Sequence, residues 1–464
     1  MDDAAIYVPA IKRAAVPGLY PFGSEFFMSH AHLSLFPDLV GGFARVTGMP
    51  SDLAIFACHL ASVFLMLLAA WRLARACFRN ETARWGGVAL LAAALSTPVA
   101  GTALAIMDPY VTARSLSAPA TLFSVAYFLE DRPIAALAWL LFTAMIHSHM
   151  GVFGAAFLVC LAMVRRFDTR PSTAPAFAAG IPFIWSLQPA RGPAREALLS
   201  RIYFFVFQWA WYEWVGAAAP VVLLWWFQGI KWQGALPPFR HVARTVAPFS
   251  VLFTAAAVIL NSSPRLENYT RWQPMRAFHL VYLVFFVLLG GLVAEQVLRR
   301  SLWRWLALFV PLAAGMHLLA RASFPFSPLV ELPGVAAPNT WMDAFLWIRR
   351  NTPVNALFAL DPNYMAIPGD DQHGFRALAE RSVLADNVKD SGAVSLFPDL
   401  AEHWKQQVQA QTGWDAFGPQ DFARLVQTWG VTWIVVRPPG VADLKCPYRN
   451  AELAVCRLGA SAAK

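Results

Sequence analysis

The sequence predicts a mainly α, polytopic helical membrane protein that carries a C-terminal α/β domain. Three observations point there. Hydrophobic residues make up 58% of the 464-residue chain and charged residues only 14%, where a soluble domain carries about 25% charged residues. Residues 52–322 form a near-unbroken series of apolar runs, whereas residues 323–464 have the mixed composition of an ordinary soluble domain. The 19 Trp and 35 Phe suit aromatic belts at a membrane–water boundary. The chain thus divides into an arm (1–51), a transmembrane helical domain (52–322) and a soluble domain (323–464).

The arm begins Met1-Asp2-Asp3, and nothing before the first apolar run has the hydrophobic segment of a cleavable signal peptide. Apolar runs follow at 52–76, 85–107, 115–129, 133–147, 149–164, 174–188, 212–230, 245–261, 277–298 and 303–322. Read as helices they give about ten spans. The third to sixth fall short of the ~20 residues that cross the hydrocarbon, and Pro119 and Pro182 interrupt two of them.

Charge sets the expected orientation. With the arm outside, the inner connections hold fourteen basic residues: Arg72, Arg75, Arg79, Arg84, Arg132, Arg165, Arg166, Arg170, Lys231, Arg240, Arg244, Arg299, Arg300 and Arg304. The short outer connections hold eight: Arg114, Arg191, Arg195, Arg201, Arg265, Arg271, Arg276 and Arg321. The positive-inside rule therefore puts the arm and the C-terminal domain outside. The same alternation accounts for the net charge of +9 without nucleic acid, because the basic residues track the ends of apolar runs. An outside arm with no helix ahead of it leads to a further expectation: a leading transmembrane helix belongs before Met1 and is missing from the gene model.

The run from Arg201 to Trp214 is dense in aromatics. It reads as an interfacial helix at the outer headgroup level leading into the next span, and a plain aromatic belt explains it equally well. In the C-terminal domain, helices are expected at Asn339–Arg350, Gly374–Arg381, Pro398–Gln411 and Pro419–Trp429. Strands are expected at Ala356–Leu360, Val383–Ala385 and Val431–Val436, with Leu453–Leu458 pairing beside the last. That alternation favours a small α/β sandwich. Of the five cysteines, Cys58, Cys77 and Cys160 sit in or beside apolar runs and read as packing residues. Cys446 and Cys456 flank a turn-like Pro447-Tyr448-Arg449-Asn450. They are a disulfide pair if the compartment is oxidising, and two free thiols otherwise.

With this orientation, polar residues gather on the outer side. Asp2 and Asp3 begin the arm, Asp108, Tyr110 and Arg114 follow the second span, and His147 and His149 flank the turn after the fourth. Tyr269, Arg271, Gln273 and Arg276 precede the ninth. Ionisable residues at membrane depth are costly and mark functional sites by default. Each also has a plainer reading: Arg114 and Arg276 as snorkelling side chains, the histidines as turn caps, Asp2 and Asp3 as a charged tail. Together they suggest chemistry. A carboxylate at the outer leaflet can act as a general base on a hydroxyl or bind a divalent metal ion, and arginines at the lipid boundary can hold a phosphate.

The segments Asp2-Asp3-Ala4-Ala5-Ile6-Tyr7-Val8-Pro9-Ala10-Ile11 and Leu19-Tyr20-Pro21 resemble the first extracytoplasmic loop of GT-C type membrane glycosyltransferases and their uncharacterised bacterial relatives. Thr112-Ala113-Arg114-Ser115-Leu116, Arg271-Trp272-Gln273-Pro274-Met275-Arg276 and Trp347-Ile348-Arg349-Arg350-Asn351-Thr352-Pro353 are also similar to such relatives. The resemblance spans most of the chain on short motifs. It departs in two places: no helix precedes the acidic motif, and the acidic pair is Asp-Asp rather than a spaced Asp-x-Asp. The resemblance implies an integral protein of the bacterial plasma (inner) membrane that moves a sugar from a polyprenyl-phosphate donor to an extracytoplasmic glycan, lipid or protein acceptor of the cell envelope. Asp2 or Asp3 would be the catalytic base or metal ligand, and Arg271 and Arg276 would hold the donor phosphate. The alternative is a non-enzymatic membrane protein, a transporter for a lipid or glycan or a scaffold presenting its outer domain.

Overall fold

The computed structural model describes residues 4–169, 189–323, 332–335, 339–366, 374–441 and 444–458. Contacts divide the chain into two compact units. A helical unit comprises His59–Ala190 and Arg201–Met316, and a mixed unit comprises Met1–Cys58, Arg191–Ser200 and His317–Lys464.

Five helical segments are long and apolar enough to cross a membrane: Ser51–Cys77, Ser148–Phe167, Pro237–Asn261, Pro264–Leu298 and Leu302–Ala322. Helices also occupy the predicted runs at Ala113–Leu129, Pro133–Ile146 and Trp211–Gly229. The run at 174–188 lies outside the described residues. Inside a bilayer only an intrahelical ladder satisfies such a run's peptide groups locally, so apolarity and helix go together. The hub of the helical unit is Pro264–Leu298, 83% of whose most apolar window is buried, while that of Leu302–Ala322 has none buried. The helices Glu81–Ala93 and Phe278–Val293 meet through Gly86 and Gly290. A Cβ on Gly86 would lie 2.5 Å from the Gly290 oxygen, and one on Gly290 would lie 2.3 Å from the Gly86 oxygen. Small residues at both positions let the two backbones touch.

Two expectations fail in this unit. The run 85–107 is not one span. Its helix stops at Ala93, and Pro98–Val99 (β1) pairs antiparallel with Leu104–Ala105 (β2). Pro98 has no amide hydrogen to continue the ladder, and apolarity alone does not separate a helix from a hairpin. The aromatic run after Arg201 is not one helix either. It makes two single 3-10 turns, Ile202–Phe204 and Val206–Gln208, before Trp211–Gly229 begins. Consecutive aromatic and β-branched side chains lose rotamer freedom in a helix. The fresh start is fixed by Glu213, whose carboxylate accepts the Ala210 amide at 2.7 Å.

In the mixed unit the arm folds as three helices, Ala4–Ala15, Glu25–Ala31 and Phe36–Thr47. Beyond residue 339 lies a five-stranded sheet of Leu357–Ala359 (β3), Ser382–Val383 (β4), Trp433–Val436 (β5), Lys445–Arg449 (β6) and Ala454–Arg457 (β7), in the order β4-β3-β5-β7-β6. Strands β4, β3 and β5 run parallel, and β7 and β6 close the sheet antiparallel. Helix Pro419–Trp429 has its predicted bounds, and Thr340–Asn351, Phe375–Ala379 and Ala401–Ala410 lie within three residues of theirs. The expected turn at Pro447–Asn450 is displaced: Pro447 lies inside β6, and the chain reverses at Asn450, whose amide donates to the Leu453 oxygen at 2.9 Å. Proline is admissible there because β6 is an edge strand whose pairing skips register between Lys445 and Tyr448. Cys446 and Cys456 are joined by a disulfide across β6 and β7.

Candidate functional site

The helical unit gathers one polar neighbourhood. Thr112 and Ser115 open the helix Ala113–Leu129 as a capping box, with the Thr112 amide donating to Ser115 Oγ at 3.0 Å. This fixes the loop before it. Arg114 then faces Asp108, donating from Nε to Oδ2 at 3.1 Å and from Nη2 to Oδ1 at 3.0 Å, while the Thr112 hydroxyl donates to Oδ2 at 2.6 Å. A carboxylate held by a guanidinium fork and a hydroxyl is a fixed charge. Tyr110 contributes its main-chain oxygen, which accepts from Ser115 Oγ at 3.3 Å.

The hub helix supplies the other half. The segment Pro264–Ala277 approaches it as two 3-10 turns hinged at Gln273, whose backbone is left-handed at φ 49°, ψ 56°. Gln273, Arg276 and His279 follow at intervals of three, and each has a buried polar atom with no partner among the described residues: Gln273 Oε1, Arg276 Nε and His279 Nδ1. His279 is 1% exposed, and its Nε2 lies 2.9 Å from the Ile106 oxygen. A carbonyl only accepts, so Nε2 carries the proton, and the neutral ring leaves a lone pair on Nδ1. Asp108, Arg114 and Arg276 are close enough to His279 to act on its charge, as Arg276 is to His149 and Asp108 to His59. Arg276 also stands 5.5 Å over the Tyr203 ring. Thr102, Tyr203, Gln273 and Arg276 line a cavity of about 10 Å³, which is room for one water.

The predicted residues separate accordingly. Asp108, Arg114, His149, Gln273 and Arg276 come together. Arg271 is engaged within its own turn, donating to the Asn268 oxygen at 2.5 Å and to Asn268 Oδ1 at 2.8 Å. Tyr269 packs edge-on against Trp272 at 5.4 Å, and His147 meets His149 ring to ring at 6.2 Å. Asp2 and Asp3 lie outside the described residues. Among the described residues, no three His, Cys, Asp or Glu side chains form a metal-holding group. His59 and His279 are not among the site residues expected from the sequence. Both are titratable residues inside apolar runs, and that signal was present.

The mixed unit has charged clusters of its own. The Lys12 ammonium, 1% exposed, lies 2.6 Å from Asp52 Oδ1 and 2.9 Å from Glu380 Oε1, and donates to the Ala377 oxygen at 2.8 Å. Arg349 closes the ring from the other side, at 2.6 Å from Asp52 and 2.9 Å from Glu380. Four charges and one carbonyl thus satisfy each other. At the carboxyl ends of β3 and β4, Arg376 donates to both Asp390 oxygens at 2.7 and 3.0 Å. Asp386 accepts the amides of Val388 and Lys389 at 2.7 and 2.5 Å. Burial, then the Asp390 charge, push the Asp386 carboxyl up to about 7 against the pull of Arg376. Asp361, Tyr364, Arg376, Asp386 and Gln411 line a cavity of about 10 Å³ there. In a parallel sheet, this end of the strands is the usual place for a ligand.

No protein-family model matches the chain, and no curated protein matches it.

Proposed function

We propose that this chain is a GT-C-like membrane glycosyltransferase that moves a sugar from a polyprenyl-phosphate donor to an extracytoplasmic acceptor. The observation that carries the reading is the row of unpartnered polar atoms on Gln273, Arg276 and His279 beside the fixed Asp108–Arg114 pair. Buried polar groups without partners are few in a folded protein and call for a ligand or water. Here the row offers a cation, an acceptor nitrogen and an amide oxygen. A phosphate takes the Arg276 guanidinium, and a sugar hydroxyl donates to His279 Nδ1 or Gln273 Oε1. The Asp108–Arg114 pair contributes a fixed dipole and no free base, so the base remains Asp2 or Asp3, which can also hold a divalent metal ion. The basic alternation of the sequence supports an outer position for this cluster in a bacterial plasma membrane, and the Cys446–Cys456 bond suits an oxidising compartment for the C-terminal domain.

The test is transfer of labelled sugar from a polyprenyl-phosphate donor by the full chain in vesicles. Arg276→Ala is expected to raise the donor KM. Asp2→Asn with Asp3→Asn is expected to abolish transfer, and unchanged transfer would remove the base from those residues. One observation favours the non-enzymatic reading: the cavity beside Arg276 admits a single water in this conformation. A purified sample that carries no lipid phosphate and transfers no sugar would decide for a scaffold or transporter.

A further inference from the structure

A second polar site lies where the hub helix ends and the helix Leu302–Ser323 begins. The α-helical ladder of Phe278–Val293 widens into a π turn at Ala294–Leu298, and Arg299 then takes φ 50°, ψ −141°. Single π turns and left-handed non-glycine residues both concentrate at functional sites. The π turn presses Glu295 against Gly234: a Cβ at position 234 would lie 1.6 Å from Glu295 Oε1. A side chain at position 234 would push the Glu295 carboxylate aside. Glu295 Oε1 accepts the Asn80 amide, and Glu295 Oε2 is buried with no partner among the described residues. Asn80 precedes the helix Glu81–Ala93 and is a residue type that usually caps, yet its side chain makes no cap bond.

Asn80 and Glu295 line an open cleft of about 840 Å³ with Glu81, Trp85, Arg299, Arg300 and Trp305. Trp305 Nε1 donates to the Arg299 oxygen at 3.0 Å and steadies the strained residue. The arginines are exposed, and Arg299 Nε donates at 3.3 Å to the Gln296 oxygen, which leaves its two Nη groups for other acceptors. Among the described residues, neither arginine is paired with a carboxylate and neither glutamate with a cation. Two anions and two cations that share a cleft without pairing fit a ligand that carries both charges. The cleft adjoins Pro264–Leu298 and Leu302–Ala322, both long and apolar enough to cross a membrane, and Trp85 and Leu302 are 53% and 69% exposed at its rim, so the ligand has an apolar part.

We propose that this cleft binds the headgroup of an ethanolamine phospholipid, with the phosphate diester on Arg299 and Arg300 and the primary ammonium between Glu81 and Glu295. Glu81 and the half-exposed Glu295 line the cleft as carboxylates, acceptors that bind an N–H donor of opposite charge most strongly. A primary ammonium has three N–H groups and a quaternary choline has none, so the site selects ethanolamine over choline. It also selects ethanolamine over a glycerol headgroup, which carries no positive charge.

The experiment is native mass spectrometry of the full chain after exchange from vesicles containing equal parts phosphatidylethanolamine, phosphatidylcholine and phosphatidylglycerol. The expected result is retention of the ethanolamine lipid by about tenfold over the other two, the size of one charge-assisted hydrogen bond. Glu295→Gln with Glu81→Gln is expected to erase that preference. Arg300→Gln, a change at an exposed residue, is expected to lower retention of all three lipids with an unchanged melting temperature. Equal retention of the three lipids by the unaltered chain would overturn the proposal, as would a preference that survives in the double glutamine variant. Saturation by free O-phosphoethanolamine without retention of the lipid would overturn the lipid as its source.

Discussion

The Tyr20 hydroxyl donates to the main-chain oxygen of Arg376 at 2.8 Å, across 356 residues of sequence. Tyr20 is fully buried and sits at φ 56°, so the arm bends there in a conformation that side chains rarely adopt. Burial and then the Glu380 charge hold the phenol well above its usual pKa, so it remains a donor at any physiological pH. Tyr20→Phe leaves the ring in place and the Arg376 oxygen without this donor. The expected cost is about 1 kcal/mol, read as a lower melting temperature in detergent and earlier proteolysis of the arm.

The ring of Lys12, Asp52, Arg349 and Glu380 gives a sharper outcome. Removing Lys12 leaves Glu380, 14% exposed, with Arg349 as its ion-pair partner among the described residues. Lys12→Met is expected to destabilise the chain by about 3 kcal/mol, because Asp52 and Glu380 are then left as two adjacent carboxylates sharing the Arg349 cation. Lys12→Met with Glu380→Gln is expected to cost less than Lys12→Met alone. Denaturant unfolding of the two variants checks the order.

These two contacts also mark how far the sequence could be read. The helices at apolar runs and the strand Trp433–Val436 were legible, because lipid exposure and β-branched burial each leave a local pattern. The docking of the arm was not. Lys12 and Tyr20 look like surface residues until Glu380 and Arg376 are set beside them, and no local periodicity encodes such a pairing. Arg349 illustrates the same gap. It lies within a family-like motif, and its contacts are the ion ring, with its carbonyl accepting from Arg381 at 2.7 Å. Within the candidate site, Asp108 and Arg114 were legible as ionisable residues beside an apolar run, but their pairing is set by the fold. The inward turn of His279 depends on a packing partner at Ile106 that no motif announces.

Asp386 makes stability depend on pH in a stated direction. Its folded pKa of about 7 exceeds the ~3.9 of an unfolded aspartate. Between those values the native state binds more protons than the unfolded chain, so this group's contribution is full below about pH 4 and is lost as pH rises to about 7. Asp386→Asn keeps an oxygen for the Val388 and Lys389 amides and removes the titration. The difference in melting temperature, variant minus unaltered chain, is expected to rise steadily from pH 4 to pH 7. A flat difference would assign the proton elsewhere.

The Cys446–Cys456 bond spans a sequence separation of 10, and closing a loop of that size is worth about 2–3 kcal/mol on chain-entropy grounds. Reduction is expected to lower the stability of the sheet by that amount. The bond also reports on sidedness. In intact cells, both thiols should resist alkylation until reductant is added, the result expected of an oxidising, extracytoplasmic location. Ready alkylation without reductant would place the domain on the reducing side.

Gln273 separates stability from function. A residue other than glycine in the left-handed region carries a strain of about 1 kcal/mol, and glycine adopts the same backbone freely. If Gln273 were present only for structure, Gln273→Gly would relieve the strain at no functional cost. Its side-chain oxygen, however, is buried without a partner beside Arg276, which is a second cost that glycine also removes. Two unfavourable features at one position are the pattern of a residue kept for a ligand. Gln273→Gly is therefore expected to melt at or above the temperature of the unaltered chain while its sugar transfer falls at least about tenfold in kcat/KM, or ~1.4 kcal/mol of transition-state stabilisation. Gln273→Ala, which loses the amide and keeps the strain, should show the same loss of transfer at a melting temperature below that of the glycine variant. A glycine variant that is more stable and fully active would remove Gln273 from the site.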